Sequence, residues 1–268
     1  MTGRKQRVVA VIPARMGSSR FPGKPLASIL GVPMVEHVRR RVSMCKSLDG
    51  VYVATCDQEI YDATERYGGQ AVMTSDVHTR ASDRVAEVAL TVDADIFVLV
   101  QGDEPMTVPE MIDCAVAPML NDATIDCVNL TKKIETEREW NDGNTIKVVR
   151  DVQGNALYFS RQPIPTDRLA GFRNIPLFKQ VCIIPFRRQA LLDYAALEPT
   201  PLEIAESIDM MRFLEHGYPV RMVESPYETY AVDTRADLER VTKLMKRDAL
   251  TQSYIAEYSG VVGVTGDD

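Results

Sequence analysis

The sequence has 268 residues, of which 45% are hydrophobic and 26% are charged, and its formal net charge is −7. This composition is typical of a globular protein that is large enough to bury a sizeable core. The net negative charge argues against a general nucleic-acid surface and against a surface that binds anionic membranes. No apolar run approaches the roughly 18 residues of a membrane span, and the first apolar run is too short for a signal peptide, so we expect a cytoplasmic protein.

The reactive side chains form no familiar constellation along the chain. The five cysteines are scattered and lack a CxxC pair or a Cys/His cluster, which predicts free thiols and argues against a zinc site. Of the three histidines, only His78 lies in a predicted loop where it could contact a ligand. No Ser/His/Asp or Cys/His arrangement supports a hydrolase with a covalent intermediate.

Strands and helices alternate in the first half of the chain. We predict strands at residues 8–13, 50–55, 70–74 and 95–100, and helices at residues 32–45, 58–67, 82–92 and 109–120. The strands are short, apolar and rich in β-branched residues, which is typical of buried parallel strands. This alternation predicts a Rossmann-like α/β fold, with a mostly parallel sheet and helices on both of its faces.

The pattern changes after residue 125. We predict strands at residues 144–149, 156–159, 178–186 and 229–233, and helices at residues 201–216 and 234–245. No repeat or low-complexity linker divides the chain. We therefore expect one domain over residues 1–250, an inserted β-rich arm at about residues 150–185, and a C-terminal tail at residues 251–268.

Two unusual loops follow predicted strands, and both are expected at the carboxyl edge of the sheet, where ligands of such folds bind. Residues 14–24 form the first loop, which contains glycines and the basic side chains Arg15, Arg20 and Lys24. Its glycines allow backbone N–H groups to approach oxyanions, which favours phosphate binding over a surface turn. The loop does not match the P-loop pattern, because five residues separate its glycines and a proline follows the lysine.

The second loop, at residues 101–105, places Asp103 and Glu104 after a buried strand. Mg²⁺ normally takes one or two protein carboxylates and keeps water and phosphate oxygens as its other ligands. Asp103 and the distant Asp233 would therefore be sufficient for such a site. Each also has a structural alternative, and for Asp233 considered alone we favour the N-cap of the following helix.

These loops belong to an ordered series of motifs that covers about residues 7–245. The series contains VIPAR-x-x-SSR-x-PGKPL (11–26), VMTS (72–75) with His78 and Asp83-Arg84, VQGDEP (100–105), NTIKVV (144–149), ALYFSR-x-PIP (156–165), FRR (186–188), AES (205–207), VDT (232–234) and DLERV (237–241). It resembles the 3-deoxy-manno-octulosonate (Kdo) cytidylyltransferase family, also called the CMP-Kdo synthetases. Because so many long motifs occur in the same order, the resemblance is highly specific.

The resemblance implies a Mg²⁺-dependent nucleotidyltransferase. The anomeric hydroxyl of an acidic sugar would attack the α-phosphate of CTP, so that the CMP-sugar forms and pyrophosphate leaves. The resemblance implies catalytic roles for Arg15, Lys24, Asp103 and Asp233, and it makes the two aspartates the Mg²⁺ ligands. The implied nucleotide-binding residues are Arg15, Ser19, Lys24, Arg80, Ser82, Asp83 and Gln101. The implied acceptor-binding residues are Arg161, Gln180 and Asp209. The family is typically homodimeric, which implies that the arm lies at a dimer interface.

The sequence departs from the family pattern on the acceptor side. Residues 180–184 read QVCII where the family usually has His-Val/Ile-Gly-Ile-Tyr, and residues 209–210 read DM where it has Glu-Gln. Residues 80–84 read RASDR where it usually has SGTDR. The loss of a polar contact in a site built for a hydroxyl costs orders of magnitude in rate. An amino-substituted Kdo, a nine-carbon ulosonic acid or a phosphonate therefore stays open as the acceptor.

Two other classes of function compete with this interpretation. A glycosyltransferase that uses a nucleotide sugar would share the fold, but residues 101–105 do not contain an Asp-x-Asp motif. Lys24, Asp103 and Asp233 argue against a non-catalytic nucleotide-binding protein, which has less need of a metal-binding pair of aspartates. Pyrophosphate release distinguishes a cytidylyltransferase from both.

Overall fold

The computed structural model describes residues 4–17, 21–169 and 171–258, without the side chain of Arg173. The strands are β1 (Val8–Pro13), β2 (Ser28–Ile29), β3 (Val32–Pro33), β4 (Gly50–Thr55), β5 (Gln70–Met73), β6 (Ile96–Val100), β7 (Val128–Lys133), β8 (Lys147–Arg150), β9 (Ala156–Ser160), β10 (Phe178–Val181), β11 (Ile183–Arg187) and β12 (Arg221–Glu224). The helices are α1 (Met34–Val42), α2 (Gln58–Arg66), α3 (Ala81–Thr91), α4 (Pro109–Asn121), α5 (Glu137–Asn141), α6 (Arg188–Ala196), α7 (Pro201–Glu206), α8 (Met210–Glu215), α9 (Arg235–Met245) and α10 (Ala249–Ile255). The predicted contact residue Ser19 lies outside the described residues.

The first sheet has the strand order β11-β6-β1-β4-β5. Its pairs β6-β1, β1-β4 and β4-β5 are parallel, and only β11 runs antiparallel to its neighbour. The central strands β1 and β6 are buried almost throughout, because hydrophobic clusters cover both of their faces. The predicted α/β fold is therefore confirmed, and the bounds of β1 and β4 agree with the prediction.

A second sheet, of order β12-β7-β10-β8-β9, packs beside the first. Its strands span residues 128–224, so the β-rich part extends well beyond the arm predicted at residues 150–185. The predicted strand at residues 178–186 is two strands, because the chain bends at Cys182 and passes from the second sheet into the first. That bend joins the two sheets next to the end of β6, where the Gln101 backbone N–H donates to the Cys182 carbonyl at 3.3 Å.

Two predicted elements in the second half are wrong. The helix predicted at residues 201–216 is interrupted after α7, because Ser207 adopts the left-handed conformation with φ 55°. The strand predicted at residues 229–233 is an irregular segment, although the Val232 backbone N–H donates to the Asp103 carbonyl at 2.9 Å. This bond places the start of α9 beside the loop that follows β6.

The expected C-terminal tail begins inside helix α10. Tyr254 in this helix is fully buried, and its hydroxyl lies 2.8 Å from Nδ1 of the buried His37. Burial lowers the pKa of His37 to about 4. Residues 251–258 therefore pack against the domain. Within the described ranges, no helix is both long enough and apolar enough to cross a membrane.

Candidate active site

A cleft of about 950 Å³ opens at the carboxyl ends of β1 and β6. Both of the loops singled out from the sequence line it, together with the segment from β10 to β11 and the turn between α7 and α8. The cleft therefore spans the junction of the two sheets. This is the edge at which ligands bind in folds with parallel strands.

Lys24 occupies one end of this cleft between two carboxylates. Its Nζ donates to Oδ2 of Asp103 at 2.7 Å and lies 3.6 Å from Oδ1 of Asp233. Gly23, with φ 71°, allows the chain to turn into the short 3₁₀ helix on which Lys24 lies. The structure thus brings together three residues that the sequence analysis assigned to catalysis, although they come from separate parts of the chain.

The two aspartates are a suitable donor set for a hard divalent cation. Mg²⁺ in phosphate-binding sites is typically held by one or two carboxylates. Asp103 and Asp233 supply two such carboxylates, although no cluster of three or more His, Cys, Asp or Glu ligands occurs within the described ranges. Their carboxylates face a common point, because both are close to the same ammonium group.

Asp233 is not the N-cap of α9, contrary to the favoured structural alternative. Thr234 is the N-cap, and its side chain accepts from the backbone N–H of Asp237. The Asp237 carboxylate accepts in return from the Thr234 backbone N–H at 3.0 Å, which completes a capping box. The helix end is satisfied without the Asp233 side chain, which faces Lys24 instead.

Gly102 allows the second loop to approach strand β1 closely. A Cβ atom at this position would lie 3.1 Å from the carbonyl oxygen of Pro13, which is tighter than an ordinary contact with backbone. The neighbouring Glu104 carboxyl has a pKa raised to about 7, first by burial and then by the Asp103 charge. Burial therefore favours the neutral form of Glu104, and the carboxylate of this loop that contacts Lys24 is that of Asp103.

The predicted nucleotide contacts separate into two groups. Arg15, Arg80 and Gln101 line the cleft. Ser82 is fully buried, and its hydroxyl donates to the Asp209 carboxylate at 3.0 Å. The Asp83 carboxylate accepts from Nη1 of Arg212 at 2.9 Å. Ser82 and Asp83 thus hold α3 against α8, and the sequence could not separate this packing role from a role in binding CTP.

The segment from β10 to β11 presents alternate side chains to the cleft. Gln180, Cys182 and Ile184 line the cleft, whereas Val181 and Ile183 are buried in the core on the other side. Burial raises the pKa of the Cys182 thiol well above its ordinary value. The positions that depart from the family pattern at residues 180, 182 and 184 therefore lie on a single face.

A buried amide holds the first of these side chains. Nε2 of Gln180 donates to Oδ1 of Asn129 at 2.6 Å. The fully buried Asn129 in turn donates to the backbone carbonyls of Leu130 and Val181. Gln180 is therefore pre-positioned by the second sheet. Nothing in the sequence pattern indicated Asn129, because a polar residue within a strand is not visible as a partner until the sheet is assembled.

Arg161 and Asp209, which the resemblance assigns to the acceptor, both line the cleft. Nε of Arg161 donates to the carbonyl of Glu206 at 2.8 Å, and the Glu206 carboxylate accepts from the Arg161 backbone N–H at the same distance. Burial raises the pKa of Asp209, although hydrogen bonds from Ser82 oppose the shift. Met210, the other departure in this region, is fully buried and packs in the core.

Two further residues lie beside the predicted site residues. The sequence analysis did not identify Lys147, and it left the role of His78 open. Lys147 is fully buried, and its Nζ donates to the carbonyls of Asp142, Thr145 and Arg161 at 2.7–2.8 Å. It thus ties the loop before β8 to Arg161. His78 lines the cleft with its Nε2 2.5 Å from the Glu87 carboxylate, an orientation that only the folded chain defines.

The fold and the cleft agree with the comparisons to known proteins. The family model described as "Cytidylyltransferase" matches residues 9–246. The 3-deoxy-manno-octulosonate cytidylyltransferase of Geobacter metallireducens is 42% identical over 250 residues, which cover 90% of this chain and 98% of that protein. The chain belongs to the CMP-Kdo synthetase family of cytidylyltransferases. The resemblance stated from the motifs is thus confirmed.

Further relatives support the same assignment. The enzyme of the same name from Geotalea uraniireducens is 43% identical over 250 residues, which cover 90% of this chain and all of that protein. A solved CMP:2-keto-3-deoxy-manno-octonic acid synthetase in complex with CTP superposes with a TM-score of 0.85 at 39% identity, covering 90% of this chain and 99% of that one. The fold is shared by the 4-diphosphocytidyl-2C-methyl-D-erythritol synthase of Anaerococcus prevotii. That structure superposes with a TM-score of 0.60 at 14% identity, covering 91% of this chain and all of that one.

Proposed function

We propose that this chain transfers CMP from CTP to the hydroxyl of Kdo or a closely related ulosonic acid and releases pyrophosphate. The observation that carries the proposal is Lys24 between Asp103 and Asp233 at the carboxyl edge of the first sheet. The relatives that share this fold at about 40% identity bear the name of that activity, and one of them is described as a complex with CTP.

The residues of the cleft suit a transfer that depends on positioning and charge neutralisation. The ammonium of Lys24 and the guanidinium of Arg15 would offset the negative charge of the triphosphate. Arg161 would face the carboxylate of the acceptor. We reassign Arg80 from the nucleotide to the same carboxylate, because both guanidiniums contact Ser207 in the turn between α7 and α8. The acceptor hydroxyl would then attack the α-phosphate, and pyrophosphate would leave past the basic first loop.

Mg²⁺ is part of the proposal. Asp103 and Asp233 would hold it, and when bound it would neutralise charge on the phosphate oxygens. The Lys24 ammonium lies beside both carboxylates and would face the triphosphate at the same end of the cleft. The cytoplasmic location and a homodimer built on the β-rich arm also remain predictions.

The first experiment is pyrophosphate release with CTP and Mg²⁺ against a panel of acceptors. The panel contains Kdo, an amino-substituted Kdo, a nine-carbon ulosonic acid and a small phosphonate. Release with Kdo is the expected result. Release only with another member would keep the cytidylyltransferase assignment and change the acceptor, and CTP binding without release from any acceptor would contradict the proposal and favour a non-catalytic nucleotide-binding protein.

A different acceptor is the second candidate for the function. It is supported by Gln180, Cys182 and Ile184, which replace an imidazole, a glycine and a phenol of the family pattern. We expect the combined variant Gln180→His, Cys182→Gly and Ile184→Tyr to raise kcat/KM for Kdo if another acceptor is native. A gain of at least about tenfold corresponds to one recovered polar contact. The dissociation constant of CTP is measured in parallel, so that an effect on the acceptor is separated from an effect on the nucleotide.

Met210→Gln is a useful contrast to this variant. Met210 also departs from the family pattern but is fully buried, so a glutamine there would place an amide in the core without reaching the cleft. If Met210→Gln changed acceptor preference and the triple variant did not, the assignment of residues 180–184 to the acceptor would be wrong. The readout is the ratio of kcat/KM values across the panel, together with the melting temperature of each variant.

A further inference from the structure

The turn between α7 and α8 contains an unusual backbone conformation at the edge of the cleft. Ser207 has φ 55° and ψ 51°, which is the left-handed region. Residues other than glycine rarely adopt this backbone conformation, and it persists only where surrounding contacts hold it. Among the described residues, Leu30 is the only other non-glycine residue with a positive φ. Ser207 is thus held by its surroundings, which include two arginines of the cleft.

Arg80 contacts the side chain of this residue. Its Nη1 donates to Oγ of Ser207 at 2.9 Å, and its Nη2 donates to the Glu203 carbonyl at 3.3 Å. Nε of Arg80 also lies 3.3 Å from the fully buried carboxylate of Glu203. The guanidinium is therefore anchored to the end of α7 through a hydroxyl, a carbonyl and a carboxylate.

Arg161 contacts the backbone of the same turn. Its Nη2 donates to the Ser207 carbonyl at 3.3 Å, and its Nε donates to the Glu206 carbonyl at 2.8 Å. The last carbonyls of a helix have no partners within the helix, and a cation is favourable there. Arg161 supplies that partner, so the end of α7 determines where its guanidinium stands.

Ser207 is therefore the residue that both arginines share. Arg80 precedes α3 and Arg161 follows β9, and both line the cleft. The hydroxyl of Ser207 holds one guanidinium while its carbonyl holds the other. Ser207 thereby links two positive groups that face the same cleft, while Glu203 and Glu206 anchor each of them separately.

We propose that Ser207 is a positioning residue, which sets the spacing of Arg80 and Arg161 for the anionic group of the acceptor. The inference rests on the proposed function, since it assumes an acidic acceptor at this end of the cleft. Ser207 acts on the acceptor through the two guanidiniums that it contacts. Its removal is therefore expected to affect the acceptor and not the nucleotide.

The test compares Ser207→Ala with Ser207→Gly in the full-length chain. Both variants lack the hydroxyl, but glycine adopts the left-handed conformation freely. We expect both variants to raise the KM for Kdo by about tenfold, because each loses one hydrogen bond to a charged group. The dissociation constant for CTP should stay unchanged. Ser43→Ala is the matched control, because the Ser43 hydroxyl bonds only a helix carbonyl on an exposed surface.

A double-mutant cycle separates positioning from a general structural effect. If Ser207 acts on the acceptor through Arg80, then Ser207→Ala should raise the acceptor KM much less in an Arg80→Ala background. Additive effects, an unchanged acceptor KM, or equal changes in acceptor KM and CTP affinity would each overturn the inference. If the parent protein releases no pyrophosphate with any acceptor of the panel, the proposed function fails. If the parent is active and its Ser207 variants keep the acceptor KM of the parent, this inference alone is overturned. Where Kdo is not used, the fastest acceptor of the panel replaces it.

Discussion

Asp103→Asn is expected to reduce kcat/KM for pyrophosphate release by at least about a hundredfold. Replacing even an outer-shell partner of a bound metal typically costs 10–100-fold, and Asp103 is proposed to contact the cation directly. The amide has nearly the same shape but lacks the charge that offsets a divalent cation. The measurement is steady-state pyrophosphate release over a Mg²⁺ titration, in which the variant should also require a higher Mg²⁺ concentration for half-maximal rate.

Asp142→Asn is the matched control for this substitution. Asp142 also lines the cleft, but it is exposed and its carboxylate accepts from the Asn144 backbone N–H at 2.8 Å. The same change of chemistry at this position should leave the Mg²⁺ dependence unaltered. Equal losses in the two variants would show that negative charge in the cleft matters generally, and would contradict a specific role for Asp103.

Arg212→Met is expected to cause the largest loss of stability among single substitutions outside the apolar core. The buried guanidinium donates to both carboxylate oxygens of Glu203 at 2.8 Å and to Asp83, and its Cζ lies 4.3 Å from the ring centroid of Tyr194. Removing one partner of a buried pair costs about 3–5 kcal/mol. Arg80 lies 3.3 Å from Glu203 and offsets part of its charge, so we expect the lower end of this range. For a chain of this size we expect the melting temperature to fall by roughly 10 °C.

Arg4→Met is the control, since it removes an ion pair that solvent screens. The Arg4 side chain is 72% exposed and lies 2.9 Å from Asp95, so its loss should cost less than about 1 kcal/mol. Thermal unfolding of the two variants under the same conditions gives the comparison. A melting temperature for Arg212→Met within a degree or two of the Arg4→Met value would mean that the buried network contributes far less than its geometry implies.

The strands of the first sheet could be predicted because their sequence pattern is simple. β1 and β4 are short apolar runs between polar loops, and burial on both faces requires this composition. β7 contradicts that pattern, since Asn129, Thr131 and Lys132 are all buried within it. Their polar groups bond to partners from other elements, such as the Lys179 carbonyl that Thr131 reaches at 2.7 Å. A strand of this kind is recognisable only when those partners are known.

The candidate site was predictable where charge alone indicates the function. Lys24 and Asp103 follow strands, and the edge of a parallel sheet necessarily gathers such residues. The direction of a side chain is harder to predict. Ser82 and Asp83 occupy the first turn of α3 near the cleft, but they face α8, and the break at Ser207 has no glycine or proline to indicate it. The positioning contacts therefore had to be found in three dimensions.

The alternation along residues 180–184 has a consequence for how this enzyme family could diversify. Three side chains on one short stretch line the cleft, and the two between them are buried in the core. Ile184 is also packed in the core and Gln180 bonds the buried Asn129, so changes at these three codons would have to preserve packing while they alter the cleft. A combinatorial library restricted to those codons is correspondingly small enough to screen completely. Selecting it against new sugar acids would show whether one strand edge is sufficient to redirect the catalyst.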